Sequence, residues 1–170
     1  MSVVQFRAGR VEDVPALAAI YNHYVRSSPA TFEITPVSLD NRLAWSGHYA
    51  NIGPHRLFVA ERDGHAVGYA TSSPFHARPA YSTSVETSVY VHPEALGQAV
   101  GSGLYAALFA AIAGEDLHRA YAGMTLPNPG SYALHRRFGF AEVGVYREVG
   151  RKFDRYWDVQ WFEKPLPHVG

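Results

Sequence analysis

At 170 residues, with 47% apolar and 18% charged side chains, the chain has the length for one buried core and an ordinary globular balance. Fifteen basic residues match 15 acidic ones, which excludes the cationic surface that a nucleic-acid partner demands. The absence of cysteine removes disulfides, thiolate metal sites and a Cys nucleophile, and no run approaches the roughly 20 apolar residues of a membrane span. The opening MSVVQFRAGRVEDVPAL has acids in place of a long apolar stretch, so it does not read as an export signal and the expected location is cytoplasmic.

In chain order, Val3–Arg7 reads as a short strand. Val14, Leu17, Ile20, Tyr21 and Tyr24 form the stripe of an amphipathic helix within Val11–Arg26, starting near Glu12 because Pro15 fits only a first turn. SPATFEITP is an irregular loop with a brief extended piece, and Ser38 caps a second helix from Leu39 to about His48. Leu57–Glu61 and Ala66–Ser72 flank Arg62-Asp63-Gly64-His65, a hairpin signal with Asp-Gly at its centre. PFHARPAYS is an exposed loop. Thr83–Val91 is a strand with Val85, Thr87, Val89 and Val91 on one face and Glu86, Ser88 and Tyr90 on the other. Gly101–Ala113 is apolar nearly all round, as a helix packed deeply on a sheet must be. A strand at Arg119–Thr125, a short helix at Pro129–Arg137 ended by Gly139, and a closing hairpin of Glu142–Val149 with Tyr156–Lys164 complete the chain. No repeat or linker divides residues 1–170, and this order implies a single α/β domain with a mixed sheet flanked by helices.

The candidate chemistry centres on Leu96-Gly97-Gln98-Ala99-Val100-Gly101-Ser102-Gly103, between a strand and a helix start. Unpaired amides at a helix N-terminus and its dipole favour an anion, so the loop is either a pyrophosphate cradle or a tight turn that its glycines permit. It has neither the Gly-Lys-Ser/Thr of a Walker loop nor a G-x-G-x-x-G pattern. The nine histidines form no His-x-x-x-His or His-x-His pair, so no metal site is expected, and no G-x-S-x-G elbow supports a serine hydrolase.

That loop resembles the Gln/Arg-x-x-Gly-x-Gly/Ala motif of the GCN5-related N-acetyltransferases, with Leu96 at the Gln/Arg position, Ala99 at the first Gly and Gly101 at the second. Asn128-Pro-Gly-Ser131-Tyr-Ala-Leu-His135-Arg-Arg-Phe-Gly139-Phe140 is similar to the same family's Asn-x-x-Ser/Ala-x-x-Leu-Tyr-x-x-x-Gly-Phe element, with His135 where many members carry Tyr. IYNHYVRSSPATFEITPVS, PFHARPAYSTSVETSVYVHP, SYALHRRFGF and VGRKFDRYWDV extend the resemblance, in order, to phosphinothricin-type acetyltransferases.

The resemblance implies acetyl-CoA-dependent acetylation of the α-amine of a small amino-acid-like acceptor by direct transfer, in a homodimer. It places the cofactor on Leu96, Gly97, Gln98, Ala99, Gly101, Ser102 and Gly103, with Asn128 and Ser131 as polar contacts or simple helix caps. An N–H on the strand Val89–Val91 would meet the oxyanion. Glu86 is the candidate base for an α-ammonium, or else a solvated strand carboxylate; a base there needs burial to raise its pKa. His135 is a candidate general acid for the departing thiolate, or a packed helix-face residue. Arg78 is placed against a substrate carboxylate or phosphinate, Phe32, Phe75 and Tyr81 as walls of the same pocket, and Lys152 in reach of a neighbouring subunit's pocket. Gln98 stands where a basic residue is frequent and Ala99 where glycine lets the backbone approach phosphates, so a binding module that holds the cofactor without transfer is the alternative reading.

Overall fold

The computed structural model describes residues 2–167. One sheet runs through the chain: β1 (Gln5–Ala8), β2 (Leu57–Arg62), β3 (His65–Pro74), β4 (Ser84–Val91), β5 (Arg119–Thr125), β6 (Ala141–Lys152) and β7 (Arg155–Pro165), in spatial order β1-β2-β3-β4-β5-β7-β6. Every neighbouring pair is antiparallel except β4 with β5. The helices are α1 (Val14–Ser27), α2 (Leu39–Ser46), α3 (Val100–Ile112) and α4 (Pro129–Arg137).

Local chemistry sets the boundaries. A 3-10 turn at Val11–Asp13 leads into α1, so Pro15 falls in its first turn, where a missing N–H costs nothing. Ser38 caps α2 by accepting from the amide of Asn41, and the helix ends two residues before His48 because Gly47 closes it. Asp63 and Gly64 both take positive φ, the geometry that joins two strands by a two-residue turn. The expected loop after β3 contains a single 3-10 turn at Pro79–Tyr81.

Helices α3 and α4 cover one face of the sheet. Leu104, Tyr105 and Leu108 pack there with Val85, Ala120, Phe140 and Phe162, all fully buried or nearly so. Helix α1 covers the other face, where Leu17 and Ile20 meet Leu57, Val59 and Tyr69. Because β4 is central, its two faces look into two differently built halves of the molecule.

Candidate active site

Strand β4 pairs with β5 only through Ser84, Val85 and Glu86. Beyond Glu86 the parallel strands part, while β5 continues along β7 as far as Thr125. The β5-facing edge of Thr87–Val91 therefore has no strand partner. A cavity of about 570 Å³ opens in this fork, bounded by Thr87–Val91, by the α3 start and by Gly123–Thr125 with α4.

Of the expected cofactor residues, Val89, Val91, Leu96, Gly97, Ala99, Gly101, Ser102, Asn128 and Ser131 line this cavity. Gly97 and Ala99 adopt left-handed φ of 73° and 60°, changes of hand of the kind that anion-binding nests use. Alanine holds that conformation at a cost of about 1–2 kcal/mol relative to glycine. Gln98 and Gly103 do not line the cavity. Gly103 instead lies against the Phe6 ring, which a Cβ there would meet at 2.0 Å, so the glycine lets β1 approach α3. Gln98 turns its amide outward, donating to the carbonyl of Glu94 at 2.8 Å and accepting from Arg62 at 2.5 Å.

Asn128 caps α4 through its side-chain oxygen, which accepts from the Ser131 amide at 3.0 Å. His135 is 5% exposed and lies in a chain of hydrogen bonds. Its Nδ1 lies 2.7 Å from the carbonyl of Ser131, which can only accept, so Nδ1 carries the proton. In the neutral ring Nε2 then accepts from the Tyr105 hydroxyl at 3.0 Å, and that hydroxyl lies 3.1 Å from Thr87 Oγ1. Burial pushes the imidazole pKa down, against the Ser131 carbonyl, which favours the charged form. A neutral His135 whose one proton is committed to a backbone carbonyl has none to give a thiolate. The geometry thus opposes the expectation of a general acid and makes His135 a buried wall of the cavity.

A second cavity, of about 320 Å³, lies on the opposite face of β4 and takes in Glu86, Phe32, Tyr146, Val149, Val159 and Trp161. It shares Ala30, Ser88, Tyr90, Gly123, Met124 and Thr125 with the first. The two cavities therefore meet at the fork. Glu86 occupies the last paired rung, opposite Ser73 of β3 and Tyr121 of β5. Burial raises its pKa above the ordinary carboxylate value, and the nearby His76 pulls it partway back.

Phe32 sits over Gly150, where a Cβ would come within 2.3 Å of its ring. Phe75 stacks on Tyr121 with ring centroids 4.3 Å apart, and Tyr81 meets Phe75 edge-on at 6.0 Å. Both stand in a ring cluster that reaches Trp161 but not in the cavity lining itself. Arg78 is exposed at the start of the 3-10 turn, outside the lining. Lys152 corrects its expectation. It is 4% exposed, and its ammonium donates to the carbonyls of Ser28 at 2.7 Å, Thr31 at 2.8 Å and Tyr24 at 3.4 Å, all in its own chain. It caps the C-terminus of α1, where carbonyls lack helical partners and the dipole is negative.

Ser88 and Tyr90 were legible from the alternation of β4, since they share the face of Glu86. Tyr146, Val159 and Trp161 had no local signal, because only the pairing of β7 with β5, and of β6 with β7, brings them to the fork. Tyr105, inside an all-apolar helix, reads as core until its hydroxyl is followed to His135.

The model of the Acetyltransferase (GNAT) family matches residues 17–140. A phosphinothricin N-acetyltransferase of Streptomyces coelicolor is 56% identical over 165 residues, 96% of each chain. An L-methionine sulfoximine/L-methionine sulfone acetyltransferase of Pseudomonas paraeruginosa is 34% identical, across 94% of this chain and 93% of its own. Among solved structures, a phosphinothricin acetyltransferase of Sinorhizobium meliloti in complex with AcCoA superposes with a TM-score of 0.89 at 32% identity, over 96% of this chain and 88% of that one.

Proposed function

Because this chain belongs to the acetyltransferase (GNAT) family, we propose that the fork between β4 and β5 is where its acetyl transfer to an amino-acid-like acceptor takes place. The observation that carries the reading is the meeting of the two cavities at shared residues, with Glu86 on the acceptor side of the junction. Acetyl-CoA lies in the larger cavity, its diphosphate on the amides of Leu96–Ser102, and the acceptor enters the smaller one from the Phe32 side.

The residues act in sequence. Glu86 in its ionised form takes a proton from the acceptor's α-ammonium directly or through one water, which frees the nitrogen lone pair. The nitrogen attacks the thioester carbonyl carbon, and an N–H on the unpaired edge Val89–Val91 meets the oxygen as it gains negative charge. The carbon–sulfur bond then breaks, the nitrogen gives its remaining excess proton to the departing thiolate directly or through water, and the free thiol leaves along the cavity. Direct transfer needs both substrates present together, and two cavities that join at shared residues suit that order. Phosphinothricin and methionine sulfoximine, on which the relatives are named to act, are the acceptors of choice for assay.

Arg78 stands beside the acceptor-side ring cluster and is proposed to meet the acceptor's anionic group as it enters. A homodimer in the cytoplasm is the setting that the family resemblance suggests, and sedimentation checks the first part.

The test is thiol release from acetyl-CoA with each acceptor, alongside titration of CoA into the protein. Turnover with the Glu86→Gln variant equal to wild type would remove Glu86 from the base role. CoA binding without turnover on any amine would leave a binding module, the reading that the strained Ala99 favours.

A further inference from the structure

The loop Leu96–Gly103 has no charged side chain to offer a phosphate. The one cation among the cavity's lining residues is Arg137, which comes from α4. A diphosphate seated in a nest of neutral amides leaves much of its charge uncompensated on the loop side.

Resting on the reading that this cavity takes acetyl-CoA, we propose that Arg62, on β2, is the loop-side phosphate cation, held in place by the side chain of Gln98. Arg62 is the last residue of β2, before the Asp63-Gly64 turn. It follows the alternation of Phe58 and Ala60, both of which pack in the α3-side core, so it stands on the face of the sheet that carries the loop. Its Nη1 donates to Gln98 Oε1 at 2.5 Å. The same Gln98 side chain is fixed from its other end by donating to the Glu94 carbonyl at 2.8 Å. Gln98 lies between the two left-handed residues of the loop, and although neither it nor Arg62 lines the cavity, its side chain holds the guanidinium beside the loop.

No carboxylate pairs with Arg62 among the described residues. A guanidinium has five N–H donors in a planar fork, and one bond to an amide oxygen leaves the others for phosphate oxygens. The chain thus moves to a neighbouring strand a charge that a basic residue at position 98 would carry itself. The ligand chemistry is a phosphate ester of the cofactor, either its diphosphate or its ribose 3′-phosphate.

Calorimetric titration of CoA into the protein at low salt tests the assignment. Arg62→Ala is expected to raise Kd for CoA about three- to tenfold and to make binding less sensitive to added salt. Titration with dephospho-CoA separates the sources: an equal loss for both ligands places Arg62 on the diphosphate, and a loss seen with CoA alone places it on the 3′-phosphate. Placing Arg at position 98 in the Arg62→Ala background is expected to restore affinity. Arg62→Met, which keeps the aliphatic stem, replaces the alanine variant if thermal unfolding shows the hairpin weakened. Kd values for both ligands within error of wild type at low salt would overturn the assignment. A wild-type protein that binds no CoA would instead sink the reading of the cavity itself.

Discussion

The two cavities that meet at β4 are built by different means. The larger one, the proposed cofactor side, is bounded by the unpaired edge of Thr87–Val91, the loop bend at Gly97 and Ala99, and the start of α3, where main chain does much of the work. The smaller one, the proposed acceptor side, is formed from side chains contributed by distant elements: Glu86 from β4, Phe32 from the loop after α1, and Tyr146 and Trp161 from the last two strands. A site made of amides tolerates a change of side chain, provided the φ it needs stays accessible. A site made of side chains changes with each of them. The comparison teaches where this family can vary in substrate without losing the shared cofactor.

The sharpest way to break that contrast is Glu86→Gln. The expected loss in kcat is 10²- to 10⁴-fold, the usual worth of a positioned base, with Kd for CoA unchanged. The pH profile carries a sign. A base works ionised, and burial raises the Glu86 pKa, so wild-type kcat at saturating substrates falls off at a higher pH than an ordinary carboxylate near ~4.3 would give. That acidic limb is expected to vanish in the glutamine variant.

Lys152→Met comes next. It removes the cation that ties the α1 C-terminus to the segment bearing Ala30 and Phe32, and leaves backbone carbonyls unmet. Loss of charge-assisted bonds at so buried a site costs about 2–3 kcal/mol, read as a lower midpoint in urea. The acceptor KM is expected to rise while CoA affinity holds close to wild type. Equal damage to both affinities would mean that the two halves are not separable.

A smaller effect concerns His135. Its folded pKa lies below the unfolded value near ~6.5, so the unfolded chain takes up the proton first as pH falls. The contribution of His135 is complete above the unfolded pKa and is lost as pH drops through the lower, folded one. Urea midpoints measured across that window should show a shallower dependence in His135→Phe than in wild type, the other histidines being common to both.

The smallest effect sharpens the backbone side. Ala99→Gly relieves a left-handed alanine worth about 1 kcal/mol, partly offset by the greater freedom of glycine in the unfolded chain. A modest rise in the urea midpoint, with CoA affinity and kcat unchanged because the ligand-free loop already holds this φ, is the expected outcome. An unchanged or lower midpoint would show that alanine holds the left-handed conformation here at no net cost.

Much of this architecture was legible before any coordinates, because hydrophobic period and punctuation agree in this chain. Pro129, Asn128 and Gly139 mark α4 at the residues where it begins and ends, and Asp63-Gly64 fixes the β2–β3 turn. The alternation of β4 separated Glu86 from the α3-facing valines. What local pattern does not encode is where long-range pairing delivers a side chain. Lys152 stands in an exposed-looking hairpin and reaches a helix end more than a hundred residues earlier in the chain, a contact with |i−j| of 121 to Thr31. Gly103 reads as part of a phosphate motif, yet its missing side chain makes room for a ring from β1. His135 carries an ambiguity that only its partners resolve, since a free imidazole and a committed one have the same letter.

One contact ties the proposed acceptor entrance to the far edge of the sheet. The Phe32 ring rests where a side chain at Gly150 would stand, on a strand whose register shifts between Tyr146 and Gly150. Any lineage that acquires even a methyl group at position 150 must displace that aromatic wall, and with it the dimensions of the entrance. Tolerance for new amines and the shape of the terminal hairpin are in this way inherited together, and neither can drift far while the other is held.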